Sequence, residues 1–159
     1  MSNRAVFVTS FLIATVILFA AFSLTQLFYF HLFESLIYVL IALMVFYGEN
    51  RYSYMLGIVV PSFWLLMESV MGYFRDDVAN FLLVITRQTV LSYDSALHGA
   101  VSMLSAILLF YSVRVYRREV GRTGLGKSLA VSGGVAAIYY AILLYWYTFG
   151  ISQGRALPL

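Results

Sequence analysis

Long apolar stretches separated by short polar breaks dominate the hydropathy pattern of the chain. A helix needs roughly 20 mainly apolar residues to cross a bilayer, and five segments reach that length: 5–25, 28–48, 54–74, 95–116 and 129–150. The first two segments are so close in sequence that we expect a tight antiparallel hairpin. The pattern predicts an all-α integral membrane protein, with a single transmembrane domain over residues 1–159 built as a bundle of five transmembrane helices.

A shorter apolar stretch lies between the third and fourth segments. It covers about residues 78–92, and Arg87 interrupts it. Apolar runs of this length are too short to span a bilayer and are typical of helices that lie in the interface or re-enter it. We therefore expect a short interfacial or re-entrant helix here.

Composition agrees with the membrane interpretation. The chain of 159 residues is 62% hydrophobic and only 11% charged, whereas a soluble domain has about 25% charged residues. The apolar run from Ala5 is about twenty residues long, which exceeds the h-region of a signal peptide and indicates a retained first span. The sequence contains no cysteine, which excludes disulfides and thiolate metal sites.

The basic residues report topology. With five spans, one side of the membrane holds a basic majority (Arg4, Arg51, Arg114, Arg117, Arg118, Arg122 and Lys127), and the other side holds Arg75, Arg87 and Arg155. The positive-inside rule then predicts a multi-pass protein of the cell membrane with a cytoplasmic N-terminus and a C-terminus outside. Because the positive charges are explained by topology, they do not indicate a nucleic-acid partner. Contact between the arginine cluster and anionic lipids is an alternative use of the same charges.

A few ionisable residues fall inside the predicted spans, and the topology puts them at one depth. Glu34, Glu68 and His98 lie roughly 9, 9 and 5 Å below the outer ends of their spans, at 1.5 Å per residue. Ionisable side chains inside a membrane are costly and mark ion or proton pathways. We expect Glu34, Glu68 and His98 to form the centre of a ligand- or proton-binding site, with His31 and Asp94 around it.

The spacing of these residues suggests metal binding. His31 and Glu34 are three residues apart, and Asp94 and His98 are four apart, so each pair shares a helix face. Imidazole and carboxylate together suit zinc, iron, manganese or copper, and they also suit a proton relay. The predicted metal ligands are His31, Glu34, Glu68, Asp94 and His98, with a divalent metal ion as the expected cofactor.

A bis-histidine haem is the alternative cofactor. His31 and His98 belong to spans that run in the same direction, and they lie at nearly the same depth. Arg75 and Arg87, on the same side of the membrane, would meet the haem propionates.

The fourth span carries small residues at four-residue or three-residue intervals: Ser95, Gly99, Ser102 and Ala106. Such spacing lets helix backbones approach closely, and we interpret it as helix packing.

These observations predict a small polytopic membrane protein with an outward-facing His/carboxylate site that binds a metal ion, protons or a small ligand. The expected roles are transport or a metal-holding membrane subunit. No familiar hydrolase motif is present, and whether the protein is an enzyme stays open. The alternative is a non-catalytic accessory subunit of a larger membrane complex. The expected partners are the lipid bilayer and either another membrane protein or further copies of this chain.

Overall fold

The computed structural model describes residues 2–23, 28–48, 50–89, 92–121 and 124–151. Every regular element in these ranges is a helix. The helices are α1 (Ser2–Ser23), α2 (Phe28–Gly48), α3 (Arg51–Met71), α4 (Phe74–Ile85), α5 (Tyr93–Glu119) and α6 (Leu125–Tyr145), followed by a π-helical segment (Trp146–Ile151).

Five of these helices, α1, α2, α3, α5 and α6, are long and apolar enough to cross a membrane. This confirms the predicted all-helical fold with five helices of spanning length. The observed helices α3, α5 and α6 begin two to four residues before the predicted segments. Residues 24 and 25 of the first predicted span, and residues 90 and 91 of the short segment, lie outside the described residues.

The ends of α3 follow from local chemistry. Asn50 caps its N-terminus, and its side-chain oxygen accepts hydrogen bonds from the backbone N–H groups of Tyr52 and Ser53, both at 3.0 Å. Gly72 ends the helix in the left-handed conformation, with φ of 80°, which glycine adopts without steric cost. Because α3 stops at this glycine, the chain restarts as α4 at Phe74, earlier than the predicted short segment at about residue 78.

Helix α5 is at the centre of the bundle and packs against α1, α3 and α4. Close approaches rely on glycine: a Cβ added at Gly57 of α3 would overlap the side chain of Ser112, and one added at Gly99 would overlap the backbone carbonyl of Asp77 in α4. The predicted use of small residues for packing therefore has a specific partner at Gly99, where α4 approaches α5 closely.

Hydrogen bonds fix α6 against its neighbours. The Tyr140 hydroxyl donates to the Val60 carbonyl of α3, and the Tyr139 hydroxyl donates to the Glu34 carbonyl of α2, each at 2.8 Å. The ring of His31 in α2 lies beside that of His98 in α5. The N-terminal parts of α2 and α5, the C-terminal part of α3, and α4 therefore meet at one end of the bundle, which we call the site end.

Candidate metal centre

Three ionisable side chains converge at the site end from three helices. Glu68 of α3, Asp77 of α4 and His98 of α5 each offer one ligand atom, and these atoms all lie within 4.8 Å of one another. Two ligands bound to one ion at about 2.1 Å are at most about 4.2 Å apart. Three ligands of one tetrahedral ion are about 3.4 Å apart. The cluster is therefore wider than an occupied site, and it needs a contraction of up to about 1.4 Å to bind one ion.

Burial of the two carboxylates makes the cluster electrostatically unusual. Glu68 and Asp77 are only 8% and 7% exposed. Among the described residues, neither forms an ion pair with a lysine or arginine, and Glu68 Oε2 has no hydrogen-bond partner. Buried carboxylates without a cationic partner are strongly destabilising, so this cluster needs a bound cation or protons to balance its charge.

A hydrogen-bond relay holds Asp77 in position. The Ser95 hydroxyl donates to Asp77 Oδ1 at 2.5 Å, and Asn80 Nδ2 donates to Ser95 Oγ at 3.1 Å. The other oxygen, Asp77 Oδ2, lies 4.0 Å from His98 Nδ1. That distance is too long for a hydrogen bond but fits two ligands of one ion. Ser95 therefore fixes one carboxylate oxygen and leaves the other oriented toward His98.

The packing of α4 on α5 determines where Asp77 lies. Gly99 is one helical turn from Ser95, and its missing side chain lets the Asp77 backbone approach α5 directly. Any larger residue at this position would push Asp77 away from His98. Gly99 is thus a structural requirement of the cluster.

His98 forms the open side of the cluster. Its side chain is 36% exposed, and Asp94, which is 51% exposed, places Oδ1 3.9 Å from His98 Nε2. Asp94 thus approaches the ring nitrogen opposite to the one that faces Asp77. This carboxylate is placed to interact with the second nitrogen of a metal-bound imidazole, an arrangement common at histidine metal sites.

His31 and Glu34 form a separate buried pair next to the cluster. His31 Nδ1 lies 2.9 Å from Glu34 Oε2, and within the described part of the chain the His31 Nε2 atom has no hydrogen-bond partner. The His31 ring centroid is 6.5 Å from that of His98. This pair borders the cluster but does not belong to the three-residue group.

Of the side chains predicted for the site, the structure brings Glu68 and His98 together, puts Asp94 at the rim, and leaves His31 and Glu34 as the neighbouring pair. Asp77 was not among the predicted ligands. The sequence signal available was the spacing: Asp77 and Asn80 are three residues apart and so share one face of a helix. The structure shows that this face is the buried one. A polar pair on the buried face of a short helix is a sign of a polar partner on the facing helix.

Trp64 closes the cluster from the side of α3. Its ring centroid is 6.1 Å from that of His98, and its Nε1 donates to Ser102 Oγ at 3.1 Å. The indole is thereby fixed against α5 and limits the orientations available to the imidazole.

Comparison with known proteins found no relative of this chain. No protein-family model, curated protein or solved structure matches the chain. The function is therefore inferred from the geometry of the cluster and the chemistry of its side chains.

Proposed function

We propose that this chain is a multi-pass protein of the cell membrane whose Glu68–Asp77–His98 cluster binds a divalent first-row transition-metal ion. The membrane location is supported by five helices of spanning length. It is also supported by their exposed apolar side chains, which include Phe11, Phe22, Leu66, Phe110 and Ile138. Such a surface is unfavourable in water and compatible with lipid.

The observation that carries the metal proposal is the pair of buried carboxylates that, among the described residues, have no lysine or arginine partner and share only the imidazole of His98. One imidazole and two carboxylates suit Zn²⁺, Mn²⁺ or Fe²⁺. Ca²⁺ prefers six to eight oxygen ligands and Mg²⁺ keeps most of its waters, so neither matches a compact site with a nitrogen ligand. Three protein ligands leave a coordination position open for water or a substrate.

The surroundings of the cluster support a retained ion in preference to an open channel. The exposed rim at Asp94 and His98 gives access from the site end. Further along the same helices, Tyr38, Val60 and Leu108 are almost completely buried and fill the bundle interior. This arrangement supports a metal-holding membrane subunit that is accessible from one end.

The convergence of the cluster is also the reason to prefer this function over that of an accessory subunit without a site. In an accessory subunit, we would expect each ionisable side chain near a helix end to be solvated on its own. Here Glu68 and Asp77 are buried and face one another. Further copies of the chain or another membrane protein remain expected partners for the apolar outer faces.

Metal titration of the purified, metal-free protein tests the proposal. We expect one Zn²⁺ or Mn²⁺ per chain, and we expect Asp77→Asn to weaken binding by at least about tenfold because a ligand is lost. Asp76→Asn is the matched control, since Asp76 is adjacent but exposed. Failure of the parent to bind a stoichiometric metal, or equal losses in the two variants, would refute the site. A haem absorption band in the parent would instead favour the bis-histidine alternative.

Cysteine labelling tests the proposed orientation, with the site end outside and the N-terminus in the cytoplasm. The chain has no cysteine of its own, so single cysteines report one position each. We expect Thr86→Cys, beyond α4 at the site end, to react with an impermeant maleimide in intact cells. Gly126→Cys, at the start of α6, should react only after lysis. The reverse pattern, or labelling of both in intact cells, would contradict this topology.

A further inference from the structure

A groove lies at the end of the bundle opposite the metal cluster. It has a volume of about 700 Å³ and is formed between α3, α5 and α6. Its walls are mostly apolar, and it is lined by Met55, Ile58, Val113, Tyr116, Arg117, Gly121, Leu125 and Leu129. Apolar walls that end at an arginine are the features expected of a site for an amphiphile with a negatively charged head.

Tyr116, one of the residues that line this groove, carries a buried hydroxyl group. The residue is 3% exposed, and its hydroxyl has no hydrogen-bond partner among the described residues. Buried hydroxyl groups are normally hydrogen-bonded, because desolvation without a partner is costly. The hydroxyl oxygen is itself buried, so a ligand oxygen in the groove would satisfy it once the Tyr116 ring turned toward the groove.

Arg117 connects this groove to a second one. The second groove has a volume of about 770 Å³ and is lined by Ala106, Leu109, Phe110, Val113, Arg114, Arg117 and Arg118. Val113 and Arg117 line both grooves, so the last turns of α5 separate two apolar channels that share one arginine. A molecule with one charged head and two apolar chains matches this arrangement.

The charge around Arg117 is not neutralised by the protein. The one acidic residue in the last turn of α5, Glu119, interacts with Arg118 at 2.6 Å. In the described part of the chain, Arg114 and Arg117 form no ion pair. Basic residues at a helix C-terminus favour the helix dipole, but that effect explains neither the grooves nor the buried hydroxyl of Tyr116.

We propose that these two grooves bind one anionic phospholipid. Its phosphate contacts the Arg117 guanidinium, one of its polar oxygens accepts a hydrogen bond from the Tyr116 hydroxyl, and its two acyl chains lie along the two apolar channels. The proposal rests on the membrane insertion proposed above and does not depend on the metal cluster. A basic patch at the cytoplasmic surface, where anionic lipids are concentrated, is the setting in which such a site would act.

Lipid titration of the purified full-length chain in a neutral detergent tests this proposal. The probe is dioleoylphosphatidylglycerol, with dioleoylphosphatidylcholine and inorganic phosphate as comparators, and bound lipid is counted by native mass spectrometry. We expect one phosphatidylglycerol to bind in preference to both comparators. Equal binding of phosphatidylcholine, or equal binding of inorganic phosphate, would overturn the proposal.

Single substitutions then locate the site. Arg117→Gln should weaken phosphatidylglycerol binding by about fivefold, the effect of one basic residue at an anionic lipid surface. Tyr116→Phe, which removes only the hydroxyl, should also weaken it. Lys127→Gln is the control, because it removes a charge from the same end without lining either groove. An equal loss in Lys127→Gln would show general surface attraction and refute the site.

A parallel Zn²⁺ titration separates the two proposals. Arg117→Gln and Tyr116→Phe should bind Zn²⁺ like the parent, because they lie at the opposite end of the bundle. If the parent binds phosphatidylglycerol selectively but no metal, the metal centre fails and the lipid site stands.

Discussion

Replacing Gly99 by alanine places a methyl group where the backbone carbonyl of Asp77 already lies. The new Cβ would be 2.5 Å from the Asp77 carbonyl carbon and 2.9 Å from the Phe81 Cβ, whereas ordinary contacts begin at 3.4 Å. Because the obstacle is mostly backbone, it cannot be relieved by a rotamer change. Helix α4 must retreat from α5 by about 1 Å, as overpacked cores do.

The retreat has a calculable effect on the metal cluster. Asp77 Oδ2 now lies 4.0 Å from His98 Nδ1, and the movement would extend this separation to about 5 Å. Two ligands of one ion cannot be more than about 4.2 Å apart, so Asp77 would leave the coordination sphere or α4 would be strained on binding. We expect Gly99→Ala to weaken Zn²⁺ binding by about 10- to 100-fold, the range seen when support for a metal ligand is lost.

Isothermal titration of the metal-free protein measures this change, with thermal unfolding of the same samples. Gly57→Ala is the first control, since its Cβ would meet the Ser112 side chain and should destabilise the bundle without weakening Zn²⁺ binding. Gly134→Ala is the second, because a Cβ there has no neighbour within 4 Å. Zn²⁺ binding by folded Gly99→Ala within about twofold of the parent, or an equal loss of affinity in Gly57→Ala, would contradict a role of Gly99 in placing Asp77.

Three further substitutions or conditions test the site. Ser95→Ala should weaken Zn²⁺ binding by about tenfold, because Asp77 Oδ1 loses its donor, and unchanged affinity in calorimetry would contradict the positioning role of Ser95. His31→Gln should weaken it by about twofold, compared with at least about tenfold for His98→Gln, and equal losses would make His31 a ligand as well. Lowering the pH should weaken binding and release the ion, since protons compete for carboxylate and imidazole ligands, and pH-independent affinity would exclude these side chains as ligands.

Hydropathy was sufficient to predict the five long helices. Five apolar segments gave five helices of spanning length, and Glu68 and His98 were expected at similar depth because each residue advances the helix by a fixed distance. The position of a residue along its helix does not determine the direction in which its side chain points around the helix axis. Glu34 therefore shares the expected depth but pairs with His31, outside the group that Glu68 and His98 form.

Asp77 illustrates what sequence reasoning lacked. Its position depends on where Gly72 ends α3 and on how closely Gly99 lets α4 approach α5. Both are tertiary effects. A small residue in the sequence indicates that another backbone can approach, but it does not indicate which one. The three-residue spacing of Asp77 and Asn80 was the available clue, and its significance depends on Ser95, fifteen residues beyond Asn80.

X-ray absorption of the Zn²⁺-loaded protein tests the central claim most directly, because it reports the ligands themselves. We predict nitrogen and oxygen neighbours at about 2.0–2.2 Å, including one imidazole. The imidazole signature should disappear in His98→Gln and persist in His31→Gln. An imidazole signal that survives in His98→Gln, or a spectrum with only water around the ion, would contradict the proposed Glu68–Asp77–His98 centre.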